Sequence, residues 1–229
     1  MYNTRLNPSV DGNLHLGHVY MALINESMAH ESGGDFVVRF DDTHPIRLEK
    51  FGKDRTELMR QGQQDDLTWL GIEPNIWIRQ SDVIGEVHEY LASKFPVFKD
   101  DHACIAPVLL GDDFTPIYPY TPTLTAEKVV MDYFEGVNLL VRGIDLMSEY
   151  GLYQYYCEAL GLPQPKHIYL PRLKWSHGDM SKTFGSQTIS DLRYSGYTPE
   201  QVRGLVETSC LRHPSNGWVL HNLKGLPRL

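Results

Sequence analysis

Residues 5–18 read RLNPSVDGNLHLGH, and this is the most informative stretch of the sequence. A short apolar strand leads into a turn rich in Asn, Pro, Asp and Gly, and an amphipathic segment follows it. His15 and His18 open that segment three positions apart, which places both imidazoles on one face of a predicted helix. A strand, a tight turn and a helix N-terminus form a site for phosphate, and imidazole N–H groups donate to phosphate oxygens. The simpler interpretation is that both histidines are ordinary polar residues at a helix start.

Predicted strands and helices alternate along the rest of the chain. The strand cores are apolar on both faces, which indicates an α/β fold with a doubly wound parallel sheet. Right-handed crossovers bring the loops after the first and fourth strands to the carboxyl edge of the sheet, where ligands bind. The predicted strands cover residues 2–6, 36–40, 76–78, 137–141 and 168–170, and the predicted helices cover residues 15–30, 52–70, 82–95 and 148–160.

Local patterns add further expectations. Leu58, Leu67 and Leu70 are predicted to face the core from the second helix, and Asp82 to cap the third. Several Pro and Gly residues predict a loop over residues 99–121.

The domain organisation follows from the same patterns. We expect one α/β domain over residues 1–187, interrupted by the loop segment at residues 99–121. A short helical C-terminal extension is expected over residues 188–229, with two short helices between Asp191 and Leu211.

Bulk composition is that of a globular protein, with 229 residues, 41% of them hydrophobic and 22% charged. The formal net charge of -8 gives no support for the basic footprint of a nucleic-acid binder. Three widely spaced cysteines form no C-x-x-C pair, so no zinc site is expected. No apolar signal core or long apolar run is present, and we expect a cytoplasmic protein without membrane contact.

Four motifs, in the same order, make this chain resemble the class I aminoacyl-tRNA synthetases, in particular their glutamyl/glutaminyl branch. The resemblance implies a Rossmann-like class I fold that activates an amino acid with ATP, accompanied by Mg²⁺ held mostly by phosphates and water. The motifs are RLNPSVDGNLHLGH at residues 5–18, which resembles the HIGH region, FVVRFDDTHP at 36–45, LVRGID at 140–145, which resembles V-I-R-G-E-D, and DMSKT at 179–183, which resembles K-[LM]-S-K-[RS].

The resemblance assigns roles around ATP. His15, His18 and Lys182 are the implied catalytic residues, since they stabilise charge on the phosphates. Gly17 lets adenosine lie against the backbone. The other implied ATP-site residues are Gly143, Asp145, Met180 and Ser181.

It also assigns an amino-acid pocket. Arg5 matches the arginine that pairs with the substrate side chain, and Ser9 lies beside it; Asp41 matches the acid that receives the substrate ammonium. Residues 121–132 form a pocket wall. The remaining implied pocket residues are Leu124, Lys128, Asp132 and Arg142.

Two observations qualify this assignment. Arg5, Asp41 and Arg142 have an alternative role as an internal ion-pair network. The chain also departs from the family pattern: Asp41 replaces Glu, Leu124 replaces Tyr, Lys128 replaces Asn, Ile144 replaces Glu, and Asp179 replaces the first lysine of the second ATP motif.

Three functions stay open at this point. The first is activation of glutamate or a related acidic amino acid and its transfer to tRNA. The second is a tRNA-independent ligase that passes the aminoacyl group to a small molecule or a carrier protein. The tRNA-independent function is favoured because residues 99–121 form only a shortened insertion at the place where the family has its acceptor-binding domain. In addition, too few residues follow Lys182 for a full anticodon-binding domain. The third is a non-catalytic paralogue that binds amino acid or nucleotide.

Overall fold

Five parallel strands form the central sheet of the computed structural model, in the order β3-β2-β1-β6-β7. The structure describes residues 1–94, 97–99, 105–107, 121–171, 174–175, 178–179 and 188–211. The sheet strands are β1 (Thr4–Leu6), β2 (Phe36–Phe40), β3 (Ile76–Arg79), β6 (Leu139–Gly143) and β7 (Lys166–Leu170). The expected α/β fold with a doubly wound parallel sheet is confirmed.

Helices connect these strands. They are α1 (Leu16–Ser32), α2 (Pro45–Phe51), α3 (Lys53–Trp69), α4 (Gln80–Lys94), α5 (Thr121–Phe134), a 3₁₀ helix (Ile144–Glu149), α6 (Tyr150–Leu160), α7 (Ile189–Tyr194) and α8 (Pro199–Leu211). The short strands β4 (Val97–Lys99) and β5 (Ile105–Pro107) form one antiparallel pair, and β8 (Lys174–Trp175) and β9 (Gly178–Asp179) form another.

The sheet separates two apolar clusters because alternate side chains of a strand point to opposite faces. On β6, Leu139 and Val141 join the cluster that holds residues of α1, while Leu140 joins the cluster built from α4, α5 and α6. Residues of α7 and α8, including Ile189 and Val202, pack into the same cluster as α1. Helices therefore cover both faces of the sheet. Among the described residues, the ends of the strands are not covered in this way, and a functional site can form there.

Two glycines in the left-handed conformation end helices α1 and α6. Gly33 follows α1 with φ 73°, and Gly161 follows α6 with φ 66°, both in the left-handed region that favours glycine. The two short C-terminal helices are also confirmed as α7 and α8.

Some local predictions were wrong. Leu58 is 71% exposed, whereas Leu67 is buried; nine positions at about 100° per residue put them on opposite faces of α3. Asp82 lies inside the first turn of α4, which begins at Gln80, so it is not the cap. The segment 105–107 is a strand rather than a loop.

Two further features concern membrane-spanning helices and a cysteine. None of the helices within the described ranges combines the length and apolarity that crossing a bilayer requires. Cys157 is a buried free thiol in the cluster beneath α5 and α6.

Candidate active site

His15 and His18 form the N-terminal cap of α1. The Nδ1 atom of His15 accepts a hydrogen bond from the backbone N–H of Gly17 at 3.1 Å, and Nδ1 of His18 accepts from the backbone N–H of His15 at 3.2 Å. This reciprocal arrangement is a capping box, with histidines in the positions usually taken by Ser or Thr and by Glu or Gln. Because both Nδ1 atoms accept, each neutral ring carries its proton on Nε2. The cap therefore sets the tautomer in which Nε2–H is the remaining donor.

Both imidazoles are held neutral. Burial lowers the pKa of His15 below its ordinary value, and burial followed by proximity to His15 lowers the pKa of His18 to about 4. Their ring centroids are 3.9 Å apart. At neutral pH, two uncharged N–H donors therefore lie at a helix N-terminus, an arrangement suited to phosphate.

Gly17 has a structural reason to be glycine beyond the predicted contact with adenosine. A Cβ there would lie 2.9 Å from Cε1 and 3.0 Å from Nδ1 of the capping His15 ring. A side chain at position 17 would therefore displace that ring from its capping position.

The ends of β1 and β2 bring Ser9 and Asp41 side by side. The two residues form a parallel bridge, in which the N–H of Asp41 donates to Pro8 O at 3.0 Å and the N–H of Val10 donates to Asp41 O at 3.3 Å. Ser9 Oγ is buried and has no hydrogen-bond partner in the described part of the chain. A buried polar atom without a partner is costly, and a polar ligand at this position would satisfy it.

Arg5 points into a buried ion-pair network around Asp132. Its Nε and Nη2 donate to the two carboxylate oxygens of Asp132 at 2.6 and 3.0 Å. Arg39 Nη2 donates to Asp132 Oδ1 at 2.9 Å, and Tyr153 Oη donates to Oδ2 at 2.8 Å. Although burial opposes ionisation, Arg5 and then Arg39 hold the pKa of Asp132 well below its usual range. Asp132 is 1% exposed, so its carboxylate is shielded from solvent inside this network.

Sequence reasoning missed Arg39, which is fully buried and joins this network to a second acid. Its Nη1 donates to Glu135 Oε1 at 2.7 Å, and its Nε donates to Asn7 Oδ1 at 3.3 Å. A charged residue inside the apolar strand FVVRF at 36–40 was the available signal, since arginine is almost never fully buried unless it is paired.

Arg142 lies at the end of β6 and keeps one donor unused. Its Nη2 donates to Glu149 Oε2 at 2.7 Å, whereas Nη1 is buried and has no hydrogen-bond partner among the described residues. Arg142 is 5% exposed. This buried N–H group, like the Ser9 hydroxyl, fits a site that a polar ligand completes.

Lys128 lies on α5 one turn before Asp132, with Leu124 one further turn away on the same face. Burial lowers the pKa of the Lys128 ammonium; Glu149 and Asp41 oppose this, while Arg5 and Arg142 add to it. Lys128 makes no ion pair within the described ranges. Arg5, Asp41, Arg142 and Glu149 thus lie within electrostatic range of Lys128, and the roles of these residues in an amino-acid pocket stay predictions.

Gly143 and Asp145 lie in contact where β6 ends and the 3₁₀ helix begins. A Cβ at Gly143 would be 2.5 Å from Asp145 Oδ1, so the carboxylate occupies the space that a side chain would need. Ile144 is 48% exposed beside them. Met180, Ser181 and Lys182 lie outside the described residues, and their roles stay predictions.

His167 is a further neighbour of the site that sequence reasoning missed. Burial and then Arg142 lower its pKa to about 4, and its Nδ1 is 3.3 Å from Tyr169 Oη. Tyr150 and Tyr153 contact the ring edge to face at centroid distances of 4.8 and 5.1 Å. An aromatic wall with a neutral imidazole therefore borders Arg142.

Comparison with known proteins shows which proteins this chain is similar to. Residues 1–94 match the family model "tRNA synthetases class I (E and Q), catalytic domain". Glutamate–tRNA ligase 2 of Methylorubrum populi is 26% identical over 274 aligned positions, which cover 88% of this chain and 58% of that protein. Glutamate–tRNA ligase 2 of Xanthobacter autotrophicus is 43% identical over 82 positions, which cover 36% of this chain and 16% of that protein.

Solved structures share the fold. Glutamate-tRNA synthetase from Elizabethkingia anophelis matches with a TM-score of 0.56 and 17% identity, over 86% of this chain and 54% of that one. Tyrosyl-tRNA synthetase from Aeropyrum pernix matches with a TM-score of 0.55 and 15% identity, over 84% of this chain and 62% of that one. The fold is thus that of the class I aminoacyl-tRNA synthetases. Within that class, the N-terminal residues of the chain are similar to the glutamyl and glutaminyl branch, whose catalytic-domain model they match.

The chain spans little more than half the length of the relatives that it matches throughout. The alignment of 274 positions with the Methylorubrum protein is longer than this chain of 229 residues, so that relative has internal residues that this chain lacks.

Proposed function

We propose that this protein is a ligase that activates an amino acid with ATP to an aminoacyl-adenylate and transfers the aminoacyl group to tRNA. The observation that carries the proposal is the grouping of a histidine-capped helix N-terminus with buried, partly unsatisfied Ser9 and Arg142 at one edge of the sheet. The family match of residues 1–94 and the glutamate–tRNA ligase relatives support the same reaction class.

In the activation step, a carboxylate oxygen of the amino acid attacks the α-phosphorus of ATP. The new bond is a mixed anhydride, and the bond that breaks releases pyrophosphate. Charge spreads over the phosphate oxygens in the transition state, and preorganised donors stabilise it without reorganising. Nε2–H of His15 and His18 are such donors, since the cap fixes their tautomer and burial keeps them neutral.

The second ATP motif, at residues 179–183, provides the remaining proposed contacts to ATP. The motif resemblance gives Lys182 the role of a mobile cation for the phosphates, with Met180 and Ser181 beside it and with Gly143 and Asp145 at the nucleoside. Mg²⁺ accompanies ATP and neutralises phosphate charge when bound, held mainly by phosphate and water oxygens.

In the amino-acid half, each group of a dicarboxylic substrate has a matching partner. Asp41 receives the ammonium, and Ser9 Oγ lies beside Asp41 at the parallel bridge. Arg142 Nη1 and Lys128 supply positive charge for a carboxylate, with Arg5 oriented by Asp132. We therefore infer that the substrate is glutamate or a related acidic amino acid, and that Leu124 forms an apolar part of the pocket wall.

ATP–pyrophosphate exchange tests the activation step. The full chain is incubated with ATP, Mg²⁺, labelled pyrophosphate and each proteinogenic amino acid in turn, without tRNA and again with bulk tRNA. We expect exchange with an acidic amino acid, and acid-precipitable aminoacyl-tRNA when the labelled amino acid is used. Absence of exchange under both conditions would remove the proposal. Exchange without any charged tRNA would retain activation and reject tRNA as the acceptor.

A further inference from the structure

Gln63 joins helix α3 to the turn between β1 and α1. Its Nε2 donates to the backbone carbonyl oxygens of Ser9 at 2.7 Å and Gly12 at 2.6 Å. The side chain is 1% exposed, and more than fifty positions separate it from either partner along the sequence. Both amide protons are therefore used to hold one turn in place.

The orientation of this amide follows from its surroundings. Only the NH₂ group can donate to two carbonyls, so Oε1 must face the other way. Oε1 is buried and has no hydrogen-bond partner among the described residues. A buried acceptor without a partner is unfavourable, which makes Gln63 a poor choice for stability alone.

The turn held by Gln63 carries contacts for both halves of the proposed reaction. Ser9 lies in the amino-acid half, and Gly12 leads directly into the capping His15 in the ATP half. On its other side, the turn is attached to the end of β2 through Pro8 O and the N–H of Val10. Gln63 therefore fixes the separation between the two groups that must meet in the reaction.

We propose that Gln63 is a positioning residue that aligns the amino acid at Ser9 with the α-phosphate at His15. The inference rests on the proposed function. Gln63 itself touches neither substrate: it acts through the backbone of residues 9–12. Alignment of reacting groups matters most in the transition state, and a small displacement remote from the reacting atoms lowers turnover more than binding.

The test is Gln63→Met, which removes both donors at similar volume, with Gln63→Asn as a shorter amide that cannot span both carbonyls. We expect kcat of amino-acid-dependent pyrophosphate exchange to fall on the order of 30- to 100-fold in Gln63→Met, with an intermediate loss in Gln63→Asn. KM for ATP and for the amino acid should change less than about threefold in either variant.

Asp66→Asn is the matched control. Asp66 lies on the same helix, is 3% exposed, and accepts a hydrogen bond from Ser190 Oγ at 2.9 Å in α7 rather than from the turn. Asn keeps an oxygen acceptor for the Ser190 hydroxyl, so this substitution should leave kcat of the folded protein unchanged.

The outcomes separate the two claims. A kcat for Gln63→Met equal to that of wild type, or a loss matched by Asp66→Asn at equal Tm, would overturn the positioning role. If Gln63→Met does not fold, an unaltered kcat in Gln63→Asn has the same meaning. Wild-type protein without exchange for any amino acid would instead remove the proposed function, and this inference with it.

Discussion

Asp132 accepts two hydrogen bonds from Arg5, at 2.6 and 3.0 Å, across 127 positions of sequence. Arg5 is the residue that the motif resemblance assigned to the substrate side chain, yet Nε and Nη2 of its guanidinium face a protein carboxylate. The donors of this guanidinium that Asp132 does not use are those of Nη1 and the second N–H of Nη2, in an orientation that Asp132 imposes. Sequence patterns suggested an internal network of Arg5, Asp41 and Arg142, whereas Arg5 pairs with Asp132 and Arg142 pairs with Glu149.

The first prediction concerns this ion-pair network. Asp132→Asn removes the charge that balances Arg5 and Arg39, both buried, and leaves two guanidinium groups without full compensation. Breaking such a network by removing one partner costs about 3–5 kcal/mol of unfolding free energy. Urea denaturation followed by circular dichroism measures it.

Glu57→Gln provides the control. Glu57 is 49% exposed and pairs with the exposed Arg79 and the largely buried Arg60, so solvent screening should keep the cost of its loss to about 1 kcal/mol. If Asp132→Asn is no more destabilising than Glu57→Gln, the buried ion pairs of Asp132 with Arg5 and Arg39 do not stabilise the fold.

The second prediction separates the two roles of His15. Asn is a good N-cap residue and Ala is not, so His15→Ala should lose about 1 kcal/mol of stability and His15→Asn much less. Both variants lack the Nε2–H donor, and exchange activity should fall roughly 100-fold or more in each. Thermal unfolding and pyrophosphate exchange on the same preparations measure the two effects. Full activity in His15→Asn would show that His15 is only a helix cap.

Features of this site can be predicted from the sequence when the residues that form them are close together in the chain. The turn at residues 8–13 and the two histidines are encoded within one short segment, and adjacent parallel strands then bring Ser9 to Asp41 without further information. The Arg39–Asp132 pair joins a strand to a helix 93 positions away, and strand periodicity says nothing about such a partner.

The start of α4 shows the same limit. Asp82 is of a residue type and at a sequence position typical of an N-cap. The carboxylate that accepts hydrogen bonds from the first turn of α4 is instead that of Asp42, in another segment. The N–H and Oγ of Ser81 donate to the carboxylate of Asp42 at 2.8 and 2.7 Å. A cap supplied by a distant loop cannot be predicted from the residues that are adjacent in sequence.

The third prediction concerns pH. The folded-state pKa of His18 is lowered to about 4 from an ordinary value of 6.5, so between these values the unfolded chain binds a proton that the folded chain does not. Stability should therefore fall as pH decreases from 6.5 to 4. His18→Gln keeps an acceptor for the His15 N–H, as Gln does in a capping box, and removes the titration.

Unfolding free energies at several pH values between 4 and 7 measure this effect. The wild-type slope should exceed that of His18→Gln throughout the window, while the two proteins have similar stability at pH 7. Parallel pH profiles for the two proteins would contradict the buried, neutral state of His18.

The last prediction concerns the charge of the amino-acid pocket. Lys128→Met keeps the apolar stem and removes the ammonium, which lies near Arg5 and Arg142 and makes no ion pair within the described ranges. If this ammonium meets a substrate carboxylate, KM for the acidic amino acid should rise roughly 10- to 100-fold, with a smaller change in kcat. The corresponding carboxamide should be affected little, so the preference for carboxylate over carboxamide should narrow. Lys94→Met, at an exposed position of α4, is the control and should leave both constants unchanged. An unaltered KM together with a shifted Tm would mean that the Lys128 ammonium compensates the negative charges of Glu149 and Asp41 in the free protein and does not bind the substrate.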